Sequence, residues 1–285
     1  MTLSEKTTKR DLGEIQALRQ QVLDIVYESE NRLTSWELEK KVSQKFFIKK
    51  EVVKTAINRL IEDRELVYTY NFGCSFIEKS FYKPRLISKR IVLKPAGMRY
   101  KPESNETVVE LQQGASFGTG DHPSTRLAIR GLEHVLSDEN FFVENTDSSA
   151  LDIGTGSGVL AIVAVSLGVK RAVGIDIEPC ARAEAKENIT LNHLENQIRI
   201  NDWNAERIDK KFSLIMANLR YPTLKRLSSR LMEITGKNGS VVVSGIKTEE
   251  IHKFVDIFTV KDFKLVWKEC EKNWAGLVFD RSASK

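Results

Sequence analysis

The sequence predicts an α/β protein: a doubly wound, mostly parallel sheet with a small winged-helix-like domain in front of it. Two observations carry this. From about residue 104 onward, short apolar runs alternate with amphipathic stretches, as expected for buried strands covered by helices on both faces. Ahead of them, three stretches of helical periodicity are followed by two β-rich runs around a turn, which is the order of a winged helix.

In chain order, Ile15, Leu18, Val22, Leu23, Ile25 and Val26 fall on one face of a first helix. Thr34 with Glu37 three residues later fits a capping box opening a second helix through Leu38 and Val42. Val52, Val53, Ala56, Ile57, Leu60 and Ile61 mark a third, whose Lys49, Lys50, Lys54 and Arg59 are candidate phosphate contacts. A hairpin follows, turning at Asn71-Phe72-Gly73. Residues 1–82 thus form the first domain. Residues 83–103 hold seven basic residues with no acid until Glu103, and Pro84, Pro95 and Pro102 break any helix. That segment reads as a basic linker with a short strand at Ile87 to Leu93. In residues 104–285 the strands are ALDI, RAVGIDI, QIRI, FSLIMAN and GSVVVSG. The helices between them are VLAIVAVSLG, PCARAEAKENITLN, PTLKRLSSRLMEIT and KTEEIHKFVDIF. The tail gives two more strands joined at Glu271-Lys272-Asn273.

Composition excludes several classes. With 41% hydrophobic and 29% charged residues in 285, the chain has material for a packed core and is not disordered. No apolar run spans a bilayer, and MTLSEKTTKRDLGE is not a secretory signal, so a cytoplasmic, non-membrane protein is expected. Cys74, Cys180 and Cys270 are far apart, so neither a disulfide framework nor a metal site is expected. A net charge of +5 permits an acidic partner without requiring one.

The chemistry concentrates in Ala150-Leu-Asp-Ile-Gly-Thr-Gly-Ser-Gly-Val159. A buried strand enters a turn with Gly154, Gly156 and Gly158, where missing side chains allow a tight bend and a close ligand. In a doubly wound sheet this turn lies at the switch point where ligands bind. A dinucleotide fingerprint needs a third glycine where Val159 stands, and a Walker loop needs Gly-Lys-Ser/Thr. What remains is the loop of class I S-adenosylmethionine methyltransferases, with their Rossmann-like sheet. Asp152 is placed to organise the amino-acid end of that cofactor. Asp176, 22 residues beyond Gly154, sits where a carboxylate accepts from two ribose hydroxyls. At the end of the third strand, Asp202 is placed to meet the adenine amino group and Trp203 to cover its face.

Asn218 ends the fourth strand, where its carboxamide oxygen can hold the N–H bonds of an acceptor nitrogen. Arg220 or Tyr221 would wall the pocket. Gly118 and Gly120 flank Thr119 in a hinge-like loop, and His122 beside Pro123 is either a base or, more in keeping with its place at a helix start, structural.

FGTGDHPST, LDIGTGSGVLAI, GIDIEP, MANL and SGI, in this order over about residues 105 to 280, resemble the PrmA family, bacterial methyltransferases that modify a ribosomal protein of the large-subunit stalk base on its amino groups. The resemblance implies S-adenosylmethionine as donor. It implies that Phe117, Gly118, Thr119 and Thr125 contact or shield it, that Gly154, Gly156 and Asp176 hold it, and that Asn218 borders the methyl-transfer site. The family's N-terminal α+β domain is replaced here by the winged-helix-like pattern, and Leu219-Arg220-Tyr221-Pro222 is bulkier than the family's turn. The expected activity is N-methylation of a protein, with a ribosomal protein as the acceptor. Two readings stay open beside it: methylation of an RNA or DNA base, from the first domain and linker contacting nucleic acid, and a regulator that senses the cofactor while binding DNA.

Overall fold

The computed structural model describes residues 9–29, 32–71, 74–80, 83–112, 118, 120, 122–259 and 262–281. Phe72 and Gly73 of the expected turn, and the site candidates Phe117 and Thr119, lie outside the described residues. The chain divides into two compact units, Met1–Lys83 and Pro84–Lys285.

The first unit contains α1 (Lys9–Glu28), α2 (Ser35–Phe46), α3 (Lys50–Glu62) and the antiparallel pair β1 (Leu66–Asn71) and β2 (Cys74–Lys79). Its core is Leu18, Val22, Ile25, Leu38, Val42, Val53, Ile57 and Leu60, with Leu66 and Ile77 from the hairpin. Leu33 bridges to Ile77, whose N–H donates to the Leu33 carbonyl at 2.7 Å. The capping box forms: Glu37 N–H donates to Thr34 Oγ1 at 3.3 Å, and Thr34 N–H donates to Glu37 Oε2 at 2.8 Å.

The second unit begins with a three-stranded sheet of β3 (Arg85–Leu86), β4 (Ile91–Pro95) and β5 (Thr107–Leu111), in the order β3-β4-β5. Of the short strand expected over Ile87 to Leu93, Ile91 to Leu93 fall in β4, while β3 lies ahead of the expected range. The chain reverses at Ser88-Lys89-Arg90 because a buried carboxylate waits there: Glu133 accepts from Lys89 N–H at 3.1 Å and Arg90 N–H at 2.8 Å. The segment read as a basic linker with a short strand contributes β3 and β4 to this sheet, and its cations are partly neutralised, Lys94 by Glu110 at 2.5 Å and Arg90 by Glu133 at 3.6 Å.

Then follow α4 (Pro123–Leu136), α5 (Glu139–Glu144), β6 (Ser149–Ile153), α6 (Val159–Ser166), β7 (Arg171–Ile175), α7 (Pro179–Leu191), β8 (Ile198–Asn201), β9 (Phe212–Asn218), α8 (Tyr221–Ile234), β10 (Thr235–Lys247), α9 (Ile251–Thr259), β11 (Phe263–Glu271) and β12 (Trp274–Arg281). Seven strands form one sheet in the order β11-β12-β10-β9-β6-β7-β8. β6 to β10 run parallel, and β12 is antiparallel to both β10 and β11. Every residue of β6 is buried, as a strand covered on both faces must be. Strand order reverses between β6 and β9, so the connections from these neighbours diverge to opposite sides and open a crevice at their carboxyl ends.

Candidate functional site

A cavity of about 980 Å³ occupies that crevice, at the upper end of the range for small-molecule sites. It reaches from the ends of β7 and β8, through the glycine turn after β6, to the ends of β9 and β10.

The glycine turn is held in place by its own backbone donors. Gly154 and Thr155 N–H groups donate to the Ile175 carbonyl at 2.9 and 3.0 Å, folding the turn over the end of β7. Gly156 N–H then donates to Asp176 Oδ2 at 3.0 Å, while Glu178 N–H donates to Asp176 Oδ1 at 3.0 Å. Each carboxylate oxygen is thus fixed by one backbone donor and keeps a second lone pair for a ligand. Gly154, Gly156 and Asp176 all line the cavity.

Three expected cofactor contacts lie behind the wall instead. Asp152 is fully buried, its Oδ2 accepting from Thr155 Oγ1 at 2.6 Å, so it braces the turn from below and does not line the cavity. Thr125 is likewise buried on α4 and receives Asn218 Nδ2 at 3.4 Å. Gly118 packs on the turn so closely that a Cβ there would stand 2.5 Å from Ser157 Oγ.

Burial pushes the Asp152 carboxyl up to about 7, against the Thr155 hydroxyl and the Ala161 backbone, which lower it, and with the Asp176 charge, which raises it. The folded state therefore favours the protonated form. The resulting penalty is absent below the unfolded value of 3.8 and complete above about 7. Asp152→Asn is expected to remove it, so that the stability of the variant relative to the parent rises by on the order of 4 kcal/mol between pH 4 and 8. Urea unfolding of both proteins across that range checks this.

At the other strand ends, Asp202 and Trp203 line the cavity next to Ile177. Ile177 is 82% exposed and Trp203 44%, so two apolar side chains face open space beside Asp176. A flat aromatic ligand would cover both. The sequence pattern did not single out Ile177; its signal was an apolar residue placed after a strand end, with no regular element to bury it.

The opposite end is formed by Asn218, Leu219, Gly245, His122 and Trp274. Asn218 Oδ1 is buried and has no hydrogen-bond partner among the described residues. Such an acceptor is costly unless a ligand completes it. Arg220 caps α8 and lines the cavity, whereas Tyr221 turns inward onto Phe254, ring centroids 6.3 Å apart. His122 caps α4, receiving Ser124 N–H on Nδ1 at 3.2 Å, and its ring meets Trp274 edge-on at 4.7 Å. Burial, then the charges of Arg126, Lys247 and Lys272, lower it to about 4 against Glu271. It is therefore neutral near pH 7 and uses Nδ1 as a cap, in line with the structural reading of this residue.

Gly245, quoted above only as part of a motif, proves to be a spatial requirement. At φ +87° its missing Cβ would stand 2.5 Å from the Leu219 carbonyl oxygen and 3.0 Å from the Leu219 nitrogen. Leu219 N–H donates to Ser244 O at 3.0 Å, so this contact sets the backbone that carries Asn218. Gly245→Ala is expected to destabilise the protein by roughly 2–4 kcal/mol, seen as a melting temperature lowered by about 5–15 °C.

An open sheet of this order, with a glycine turn after its first central strand and a carboxylate at the end of the next, defines the class I methyltransferase fold. Comparison with known proteins gives the family. Residues 73–282 match the family described as Ribosomal protein L11 methyltransferase (PrmA), and the chain belongs to it. Relatives called ribosomal protein L11 methyltransferase include one from Clostridium botulinum, 41% identical over 64% of this chain and 55% of the relative. Another, from Alkaliphilus oremlandii, is 33% identical over 70% of this chain and 62% of the relative. The chain thus spans little more than half the length of these relatives. The crystal structure of ribosomal protein L11 methylase from Lactobacillus delbrueckii subsp. bulgaricus superposes with a TM-score of 0.63 at 28% identity, covering 70% of this chain and all of that one.

Proposed function

We propose that this chain transfers methyl groups from S-adenosylmethionine to amino groups of a ribosomal protein, in the cytoplasm. The observation that carries the reading is one cavity lined at one end by a backbone-fixed carboxylate, Asp176, and at the other by Asn218, whose buried Oδ1 has no partner among the described residues. Family membership supports it, as do the names of the relatives, which favour a protein acceptor over a nucleic-acid base.

The residues present fit the cofactor. Asp176 would take the ribose hydroxyls, Asp202 the adenine amino group, and Ile177 with Trp203 the faces of its ring. When bound, S-adenosylmethionine supplies a methyl group on a positively charged sulfur, so the protein's task is positioning. Asn218 Oδ1 accepts from an N–H of the incoming amine and aims its lone pair. The amine must arrive neutral. Among the described residues around Trp274, Lys247 lies 3.8 Å from its ring centroid, and Arg126 and Lys272 act on the adjacent His122. Glu271 opposes them but is tied to Arg126 and, at 3.1 Å, to Arg130, with Glu269 also on Arg130 at 2.6 Å. The surplus of cations disfavours an ammonium here and lowers the pKa of the acceptor amine, without a dedicated base.

The test is transfer of labelled methyl from the cofactor into a bacterial lysate. Label in a protease-sensitive, nuclease-resistant large-subunit protein supports the proposal. Nuclease-sensitive label, or bound cofactor with no transfer to any acceptor, overturns it.

A further inference from the structure

We propose that the corner between α2 and α3 in the first unit is a binding surface for single-stranded RNA. Residues 40–50 contain Lys40, Lys41, Lys45, Lys49 and Lys50 and no acid. All five are exposed, as is Lys54 one turn beyond Lys50. Three other cations in this unit are paired: Arg19 with Asp63 at 2.6 Å, Arg32 with Glu78 at 3.0 Å and Lys83 with Glu65 at 2.5 Å. None of these six lysines has a carboxylate partner among the described residues. Acids do stand near them: Glu37 one turn before Lys41, Glu39 beside Lys40, Glu51 beside Lys50, and Glu28 in the shallow groove that Lys41 and Lys45 share with the end of α1.

The lysines flank one tight corner. Only three residues separate the two helices, and Ser43 Oγ donates to the Ile48 carbonyl at 2.7 Å, which fixes the backbone between Lys45 and Lys49. Lys49 and Lys50 also stand at the positive end of α3, where no side chain caps the helix and Glu51 is the first-turn acid.

Aromatic residues interleave with these charges. Phe47, between Lys45 and Lys49, is 96% exposed, and Trp36 is 61% exposed with Lys40 Nζ 4.9 Å from its ring centroid. Lysines grouped at one corner match successive phosphates, and exposed rings can stack on unstacked bases. An acidic peptide would satisfy the charges and leave the rings uncovered. Duplex DNA keeps its bases stacked, whereas loops and bulges of folded RNA expose theirs.

The full chain is titrated into a fluorescent oligouridine of about 20 nucleotides, followed by anisotropy, beside the matching oligothymidine and polyglutamate as competitors. The triple variant Lys45→Glu, Lys49→Glu, Lys50→Glu is expected to bind at least about tenfold more weakly and to lower the log–log salt slope by about 2. Phe47→Ala should weaken binding by about tenfold while leaving that slope unchanged. The triple replacement by arginine should bind like the parent, and thermal melts should match, since every position is exposed. Unchanged affinity in the triple glutamate variant overturns the proposal. So does equal binding to oligothymidine, or full competition by polyglutamate. Cofactor binding reads on the other unit, so the two proposals fail separately.

Discussion

Asp176→Ala is expected to weaken S-adenosylmethionine binding by roughly 100-fold or more, the largest loss of any single replacement in the cavity. Two hydrogen bonds to a charged acceptor are removed, each contributing about 1.5–3 kcal/mol, and tenfold corresponds to about 1.4 kcal/mol. The backbone donors Gly156 and Glu178, which hold the carboxylate in place, lose their acceptor as well. Asp176→Asn separates the contributions: it keeps the shape but replaces one acceptor oxygen by a donor, so an intermediate loss is expected. Calorimetric titration of the three proteins measures this directly.

Asn218→Ala should act on the other side of the reaction. Asn218 is held from behind by Thr125 and by the tight approach of Gly245 to Leu219, and the residue lines the end of the cavity formed with Leu219, Gly245, His122 and Trp274. Turnover is expected to fall by about 100-fold, with cofactor affinity changed by less than about threefold. Thr125→Val is the companion measurement: the Asn218 amide loses its rear contact, and a smaller fall in turnover should follow. Single-turnover methyl transfer, together with cofactor titration, separates a positioning defect from a binding defect.

Much of this was legible in the chain because its signals are local. β6 is apolar throughout because both its faces are covered, and the glycine turn follows it directly. Asp176 was legible because an acid at the end of the next strand has a fixed place in a doubly wound sheet. The illegible parts depend on residues distant in sequence. Seven basic residues and three prolines made 83–103 look like a connector, and Glu133 and Arg130, on a later helix, help to turn it back between two strands. Asp152 and Thr125 stand in the right motifs, yet whether a side chain faces a cavity or braces its wall is decided by packing. Trp274 joins the cavity because β12 returns beside β10, a pairing that no short motif announces.

The central claim is that the crevice at the carboxyl edge of the sheet binds S-adenosylmethionine through Asp176. Isothermal titration of the full chain with that nucleoside, repeated with Asp176→Ala and with NADH, tests it most directly. The account predicts saturable binding at one site per chain, reduced by roughly 100-fold in the variant, and no heat from NADH. No binding by the parent protein, or equal affinity in the variant, would contradict it.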